Sequence, residues 1–233
     1  MASDVLKTRR DFLVVAGAAG AGLLLAGCSG EEKKKRAADL ISAPERLMRQ
    51  HGALSRLLMI LEESLRRVDA HMELPPEVIP GVVEIVQNFF QKHHEKQEEE
   101  EIFPLLAKDD KLVGLIAVLK AQHQAGREIT ARILEYASTA ALKELETRRK
   151  LNSEVRQLVR MYRAHSNRED TVLFPALDSA VTSAQYRALS AGMTQKQQQA
   201  LGDGAFEKTV ERVAALEKLV AMDDLAGFSP DAS

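Results

Sequence analysis

Two stretches of this chain carry the same side chains at the same intervals. HHEKQEEEEIFP runs from His93 to Pro104, and HSNREDTVLFP from His165 to Pro175. Aligned on Phe-Pro, each has a histidine nine residues before the phenylalanine (His94, His165) and a glutamate five before it (Glu98, Glu169). Two more histidines extend the repeat: His51 precedes His94 by 43 residues, and His123 precedes His165 by 42. An imidazole and a carboxylate four residues apart on a helix lie on one face. Two such faces turned together, each with its extra histidine, collect four imidazoles and two carboxylates, a ligand set for two metal ions. Imidazole and carboxylate without thiolate suit iron, manganese or zinc. Two carboxylates between two ions, each ion with two imidazoles, suit a carboxylate-bridged di-iron centre. Ferritin-like proteins use Glu-x-x-His and more carboxylates, so the order His-x-x-x-Glu sets this chain apart from them.

The elements that must position these groups are helices. Leu, Ala, Glu, Lys, Arg and Gln, good helix formers, dominate the 233 residues, and Val and Ile never form a bounded alternating run. The expected fold is all-α, an up-and-down four-helix bundle with additional C-terminal helices. Ser42-Ala43-Pro44-Glu45 is a helix start, with a capping box and a proline in the first turn. The first helix runs to about Val68 with Leu47, His51, Leu54, Leu58, Leu61 and Leu65 inward. The second carries Val83, Val86, Phe90, His94 and Glu98 on one line. The third carries Leu112, Ile116, Leu119, His123, Gly126, Thr130 and Ile133. The fourth carries Leu151, Val155, Leu158, Tyr162, His165, Glu169 and Val172.

Each candidate ligand thus falls within an apolar stripe. A lone inward histidine is ordinarily a core residue with a backbone partner. Four of them with two glutamates form a polar cluster that is costly to bury unless paired or metal-bound. His93 is one residue off its stripe, has Gln97 four residues on, and is expected to face solvent. His71, in a turn, is the weakest ligand candidate. Glu99, Glu100 and Glu101 read as a solvated face or, for one of them, as support for a ligand, and Asp170 stands beside Glu169 as Glu99 stands beside Glu98. Tyr162, one turn before His165, is a candidate hydrogen-bond donor to a bound ligand, with a plain core role as the alternative. No catalytic residue is assigned.

The ends of the chain read differently. Thr8-Arg9-Arg10-Asp11-Phe12-Leu13 matches a twin-arginine export signal. A short Ala/Gly/Leu run then leads to Leu25-Ala26-Gly27-Cys28, a lipobox in which the lone cysteine becomes the lipidated first residue. An uncleaved anchor helix is the alternative reading. Residues 1–28 are thus expected to be signal, 29–41 a charged linker, 42–180 the bundle and 181–233 a helical extension. In that extension Thr182 or Ser183 caps a short helix, Gln195 to Gln199 is expected to be exposed, and Phe206 to Val220 to form a helix packed outside the bundle. Lone Cys28 excludes an internal disulfide, and a net charge of −2 gives no reason to expect nucleic acid as a partner.

From Ser42 to Asp178 the chain resembles the hemerythrin-like, or HHE cation-binding, family. The resemblance rests on His51, His94 with Glu98, His123, His165 with Glu169, and both Phe-Pro marks. It implies two iron ions, carboxylate- and oxo-bridged, held by those six residues. Oxygen-carrying hemerythrins use five histidines with a glutamate and an aspartate. This chain has no fifth inward histidine, and its four-His, two-Glu set resembles the branch that includes bacterial iron-centre repair proteins. Where the family often has an acidic residue just before the first and third histidines, this chain has Gln50 and Gln122. The expected function is that of a di-iron protein, membrane-tethered on the periplasmic side of the cell envelope, that binds or senses oxygen or nitric oxide. The alternative is an enzyme reducing nitric oxide or peroxide, or a donor of iron to damaged iron–sulfur centres. Storage is disfavoured because two ions per chain is little capacity.

Overall fold

The computed structural model describes residues 41–138 and 140–229; the twin-arginine signal, Cys28 and most of the linker lie outside them. Six long helices and no strand are present among the described residues. Helix α1, Ala43–Asp69, starts at Ser42, whose side chain accepts from the Glu45 amide, with Pro44 in the first turn. It ends before His71, which sits exposed at φ +53 in the turn. Helix α2 spans 78–106, α3 is Asp110–Tyr136, capped by Asp109, and α4 spans 145–180. Helix α5, Ser183–Leu201, opens with a capping box between Thr182 and Gln185, and α6 is Ala205–Leu219.

Cross-helix partners fix the directions within two helix pairs, and the short 70–77 connection fixes the rest. Asp69 of α1 meets Asn152 of α4, Glu62 meets Arg163, and His51 meets Asp170. As one number falls the other rises, so α1 and α4 are antiparallel. Gln91 with Thr130, Glu95 with Arg127 and Glu99 with His123 show the same for α2 and α3. This is the up-and-down bundle that short connections enforce.

The core is divided along the bundle axis. One apolar cluster holds Leu54 to Leu65 of α1, Val78 to Phe90 of α2, Ile129 and Ile133 of α3 and Leu151 to Tyr162 of α4. The other holds Leu47, Ile102, Phe103, Leu106, Leu112, Ile116, Leu119, Leu173, Phe174 and Leu177. All six candidate ligands lie in the gap between the two clusters in sequence. Helix α6 closes the first cluster with Val213, Leu216 and Val220, and α5 the second with Met193. Gly81 lets α6 come close, since a Cβ there would stand 3.0 Å from a Leu216 methyl.

Helices α2 and α4 are not regular. Each contains a π-helical turn that begins at the glutamate of its repeat, Glu98–Ile102 and Glu169–Leu173. The repeated Phe-Pro explains them. A proline inside an α-helix lacks the amide donor and crowds the carbonyl four residues back. Widening the preceding turn relieves the crowding. The Phe103 amide then bonds to the Glu98 carbonyl and the Phe174 amide to the Glu169 carbonyl, five residues back in both cases. The extra residue also corrects the expected stripe of α4. Val172 was placed inward at regular helical spacing, but it is exposed and Leu173 takes its place in the core.

Candidate metal centre

The six expected ligands converge. Nε2 of His51 (α1) lies 3.1 Å from Nε2 of His94 (α2), and Nε2 of His123 (α3) lies 3.1 Å from Nε2 of His165 (α4). The glutamates join the two pairs. Glu98 sets Oε1 3.1 Å from His94 Nε2 and Oε2 3.5 Å from His123 Nε2. Glu169 sets Oε2 3.1 Å from His165 Nε2 and 3.4 Å from His51 Nε2. Each carboxylate thus spans from one imidazole pair to the other. All six side chains are buried, and Glu98, Glu169 and His123 have no exposed surface.

The outward nitrogens decide what the inward ones can do. Nδ1 of His51 is 2.7 Å from Asp170, and Nδ1 of His123 is 2.8 Å from Glu99. Nδ1 of His94 is 2.6 Å from Gln50 Oε1, and Nδ1 of His165 is 3.0 Å from Gln122 Oε1. All four partners are acceptor oxygens, so each Nδ1 carries the proton and donates it. Each Nε2 is left with a lone pair facing the centre. The two halves therefore repeat in their supports as well as in their ligands. The glutamines that replace the family's acidic residues do support imidazoles, each on the helix neighbouring its own. Phe174 stacks on His51 and Phe103 on His123, at 5.7 and 5.8 Å between ring centroids. The Phe-Pro marks thus wall the site as well as widen the helix.

These protein atoms fit a cation. Both carboxylate oxygens of Glu98 and of Glu169 are buried with no hydrogen-bond donor. Lone pairs on nitrogen and oxygen then face one another at about 3 Å, which is repulsive unless positive charge stands between them. Titration behaviour shows the same demand. Burial opposes the charge of Glu98, yet the imidazoles of His94, His123 and His51 outweigh it and hold that carboxyl well below the usual range. Burial, reinforced by the Glu98 charge, pushes Glu169 well above it. Burial also opposes protonation of His123, but its contact with Glu98 and the charges of Glu95 and Glu98 raise it to about 9. Burial and the neighbouring His123 lower His165 to about 4. Across the His51–His94 pair the same division holds, His51 raised and His94 lowered. Positive charge is thus favoured beside each imidazole pair, and a cation on the Nε2 lone pairs would supply it in place of a proton. Ionised, as metal binding requires, the carboxylates of Glu98, Glu169, Glu99 and Asp170 would match the charge of two divalent ions.

Other expected residues lie elsewhere. His71 is exposed in the turn after α1 and belongs to none of the His/Glu groups that could hold an ion. Tyr162 is buried, but its hydroxyl donates to Glu95 Oε1 at 2.8 Å and accepts from Gln91 at 3.1 Å, so its bonding is to core partners. Gly126 makes room for that hydroxyl, which would stand 2.5 Å from a Cβ there. Glu95 was not singled out by the sequence. It is buried beside the site and bonded also to Arg127.

His93 corrects the sequence reading. It is not solvent-facing but buried, beside Phe89, whose ring meets Phe206 of α6. The covering helix makes inward a position that the bundle stripe alone leaves outside. Burial, then the charges of His94 and Lys96, lower its pKa from 6.5 to about 4. Between those values the unfolded chain binds a proton that the folded chain refuses. The contribution of a neutral His93 is therefore complete above about pH 6.5 and lost as pH falls toward 4. His93→Phe should remove this loss, gaining roughly 2–3 kcal/mol relative to wild type between pH 8 and pH 4.5, and should keep its metal. Urea unfolding at the two pH values checks it. An unchanged difference between the two proteins would show that His93 does not titrate.

Comparison with known proteins places these residues in context. The family description "Hemerythrin HHE cation binding domain" matches residues 42–177. An uncharacterized protein of Mycobacterium bovis is 33% identical over 231 residues, covering 95% of this chain and 91% of its own length. Uncharacterized proteins of two Mycobacterium tuberculosis strains match to the same extent. No solved structure matches significantly.

Proposed function

We propose that this chain, which belongs to the hemerythrin HHE cation-binding family, holds two iron ions in its bundle and uses them to bind or sense a diatomic gas, oxygen or nitric oxide. The observation that carries this reading is the pair of imidazole pairs, each 3.1 Å between Nε2 atoms, joined by the carboxylates of Glu98 and Glu169. His51 and His94 would hold one ion and His123 and His165 the other, with both carboxylates shared. Iron so held supplies affinity for small gases. The protein's part is to fix the imidazole tautomers through Asp170, Gln50, Glu99 and Gln122, and to wall the centre with Phe90, Phe103 and Phe174. The equal ligand count of the two halves supports gas access at either ion rather than at one.

A second reading has its own observation. Tyr162 and Glu95 form a buried donor–acceptor pair one helical turn from His165, a proton source suited to reduction of nitric oxide or peroxide. Full enclosure of the ligands speaks against iron donation. An anaerobic optical titration of the reduced protein with oxygen, then nitric oxide, separates the readings. Metal analysis should give about two iron atoms per chain. An adduct reversed by removing the gas supports binding, and steady gas consumption with added reductant supports the enzyme. One ion, or zinc alone after growth in iron-replete medium, would overturn the di-iron reading.

For location we propose export by Arg9-Arg10 and lipid anchoring at Cys28. Among the described residues, which do not include the N-terminal apolar run, no helix is long and apolar enough to cross a membrane; acyl chains on Cys28 would hold the domain at roughly 0.8 kcal/mol per buried methylene. Cys28→Ala should move the protein from the membrane fraction to the soluble fraction without changing its iron content. Lys-Lys in place of Arg9-Arg10 should trap the precursor in the cytoplasm. A wild type found wholly soluble in the cytoplasm would remove the envelope assignment.

A further inference from the structure

Helix α5 lies outside the four-helix bundle, yet one of its faces is bonded into the metal centre. Ser190 accepts from the Ala43 amide, and Thr194 from the Arg46 guanidinium. The Met193 carbonyl accepts from the Gln97 side chain at 3.0 Å. Gln197 Oε1 accepts from Gln50 Nε2 at 3.3 Å. Positions 190, 193, 194 and 197 follow helical spacing along a single face. Gln50 and Gln197 are both buried. Gln97 is the residue before the ligand Glu98, and Gln50 bonds to the ligand His94.

The link through Gln197 has a chemical consequence. A glutamine amide can turn over, exchanging its oxygen for its NH2. Gln50 stands between His94 and Gln197, and because Gln197 is an amide too, Gln50 can reverse without losing that partner only if both amides turn together. With Gln197 Oε1 on one side, Gln50 presents NH2 to it and its carbonyl to His94. The carbonyl demands the Nδ1–H tautomer, which leaves His94 Nε2 free to ligate. Were Gln50 reversed, its NH2 would donate to Nδ1, the imidazole proton would move to Nε2, and the ligand atom would be blocked. The counterpart on the other half lacks this tie. Gln122 is only half-buried, and among the described residues no protein group accepts from its amide.

We infer that α5 is a working part of the metal centre: Gln197 ties the Gln50 amide, hindering its reversal, and through it steadies the ligating tautomer of His94, so that the His51/His94 position releases its cation more slowly than the His123/His165 position. This rests on the metal-binding reading above. Gln197 acts through Gln50 and is a positioning residue, and the two half-sites, alike in their ligands, differ in how firmly one imidazole is held.

The full-length protein, loaded with ferrous iron under anaerobic conditions, tests this by release to an excess of a ferrous chelator. Wild type should release iron in two phases of equal amplitude. Gln197→Leu, close in volume and unable to accept, should speed the slow phase by about tenfold or more and leave the fast phase alone. Gln122→Leu should act on the fast phase only. Gln197→Glu, which still accepts from Gln50, should restore the slow phase. The 15N spectrum of histidine-labelled metal-free protein gives a readout independent of iron: His94 should be a single Nδ1–H tautomer in wild type and in Gln197→Glu, and a mixture in Gln197→Leu. Wild-type release and an unmixed His94 tautomer in Gln197→Leu, or equal loss in Gln197→Leu and Gln197→Glu, would overturn the inference and leave the metal-binding reading standing. Failure of the wild type to bind iron would instead remove that reading and the inference with it.

Discussion

Stripping the metal from the purified protein with a reductant and a chelator is expected to lower its melting temperature by roughly 15–30 °C, and reloading with ferrous iron should restore it. The magnitude follows from linkage. A ligand that binds only the folded state, present at about a thousand times its dissociation constant, contributes about 4 kcal/mol, and two such ions about 8. In a domain of this size each kcal/mol is worth about 2–4 °C. The ligands give a reason for tight binding. Four carboxylate oxygens of Glu98 and Glu169 are buried without donors, and four imidazole lone pairs face them. Leaving buried polar groups unsatisfied costs about 1–3 kcal/mol each, more when charged. Calorimetry before stripping, after it and after reloading is the measurement. A melting temperature that moves by less than about 3 °C would mean that the bundle stands on its two apolar clusters alone and that the cluster between them is a protonated network.

Much of this architecture is legible from local rules, and the misses have physical causes. Stripe residues of α1 and α3 are all buried where helical spacing puts them, because those helices are regular from cap to end. Spacing fails at Val172, where the π turn that Phe-Pro forces adds a residue and passes the inward place to Leu173. Pro175 stands in the sequence, but regular helical spacing takes no account of the residue that its π turn adds. His93 was placed in solvent because a four-helix reading leaves the outer side of α2 bare, whereas α6 covers it. Gln197 was lost in a polar run for the same reason. Its partner, Gln50, lies 147 residues away, and a buried glutamine pair has no hydrophobic signature. The supports of the imidazoles were half visible. The matching places of Glu99 and Asp170 beside the repeated glutamates pointed to a shared role, and both bond to an imidazole of another helix. Gln50 and Gln122 do the same with neutral carbonyls, which accept the Nδ1 proton in the same position as the carboxylates do.

Replacing either histidine of the repeated motif should have the second large effect. His94→Ala or His165→Ala is expected to weaken metal retention by more than about 100-fold, beyond the range typical of losing a supporting partner, and to leave fewer than two ions per chain after dialysis. Stability should fall with it. Each change deletes a buried ring and empties its place beside Phe90 or Tyr162. Each also removes the imidazole 3.1 Å from a carboxylate, from Glu98 in the first case and Glu169 in the second. Both rings are the uncharged members of their pairs in the metal-free protein, so the loss common to the two variants is buried packing, about 2–5 kcal/mol for a large-to-small change in a core. The carboxylates make the two variants differ in kind. Glu98 is held ionised by its imidazoles, so His94→Ala strips support from a charge, whereas burial already favours the protonated form of Glu169. Metal-free His94→Ala should therefore be the less stable of the two at neutral pH, and the gap should narrow in acid as Glu98 takes up its proton, since a depressed carboxyl contributes stability that is lost as pH falls. Metal analysis and urea unfolding of both variants, at neutral and acid pH, read these effects separately. His93→Ala is the control one residue away, with a cavity but no lost ligand. Equal metal loss in that variant would show that the inward face of α2 had been assigned one residue out of register, and with it the whole ligand set.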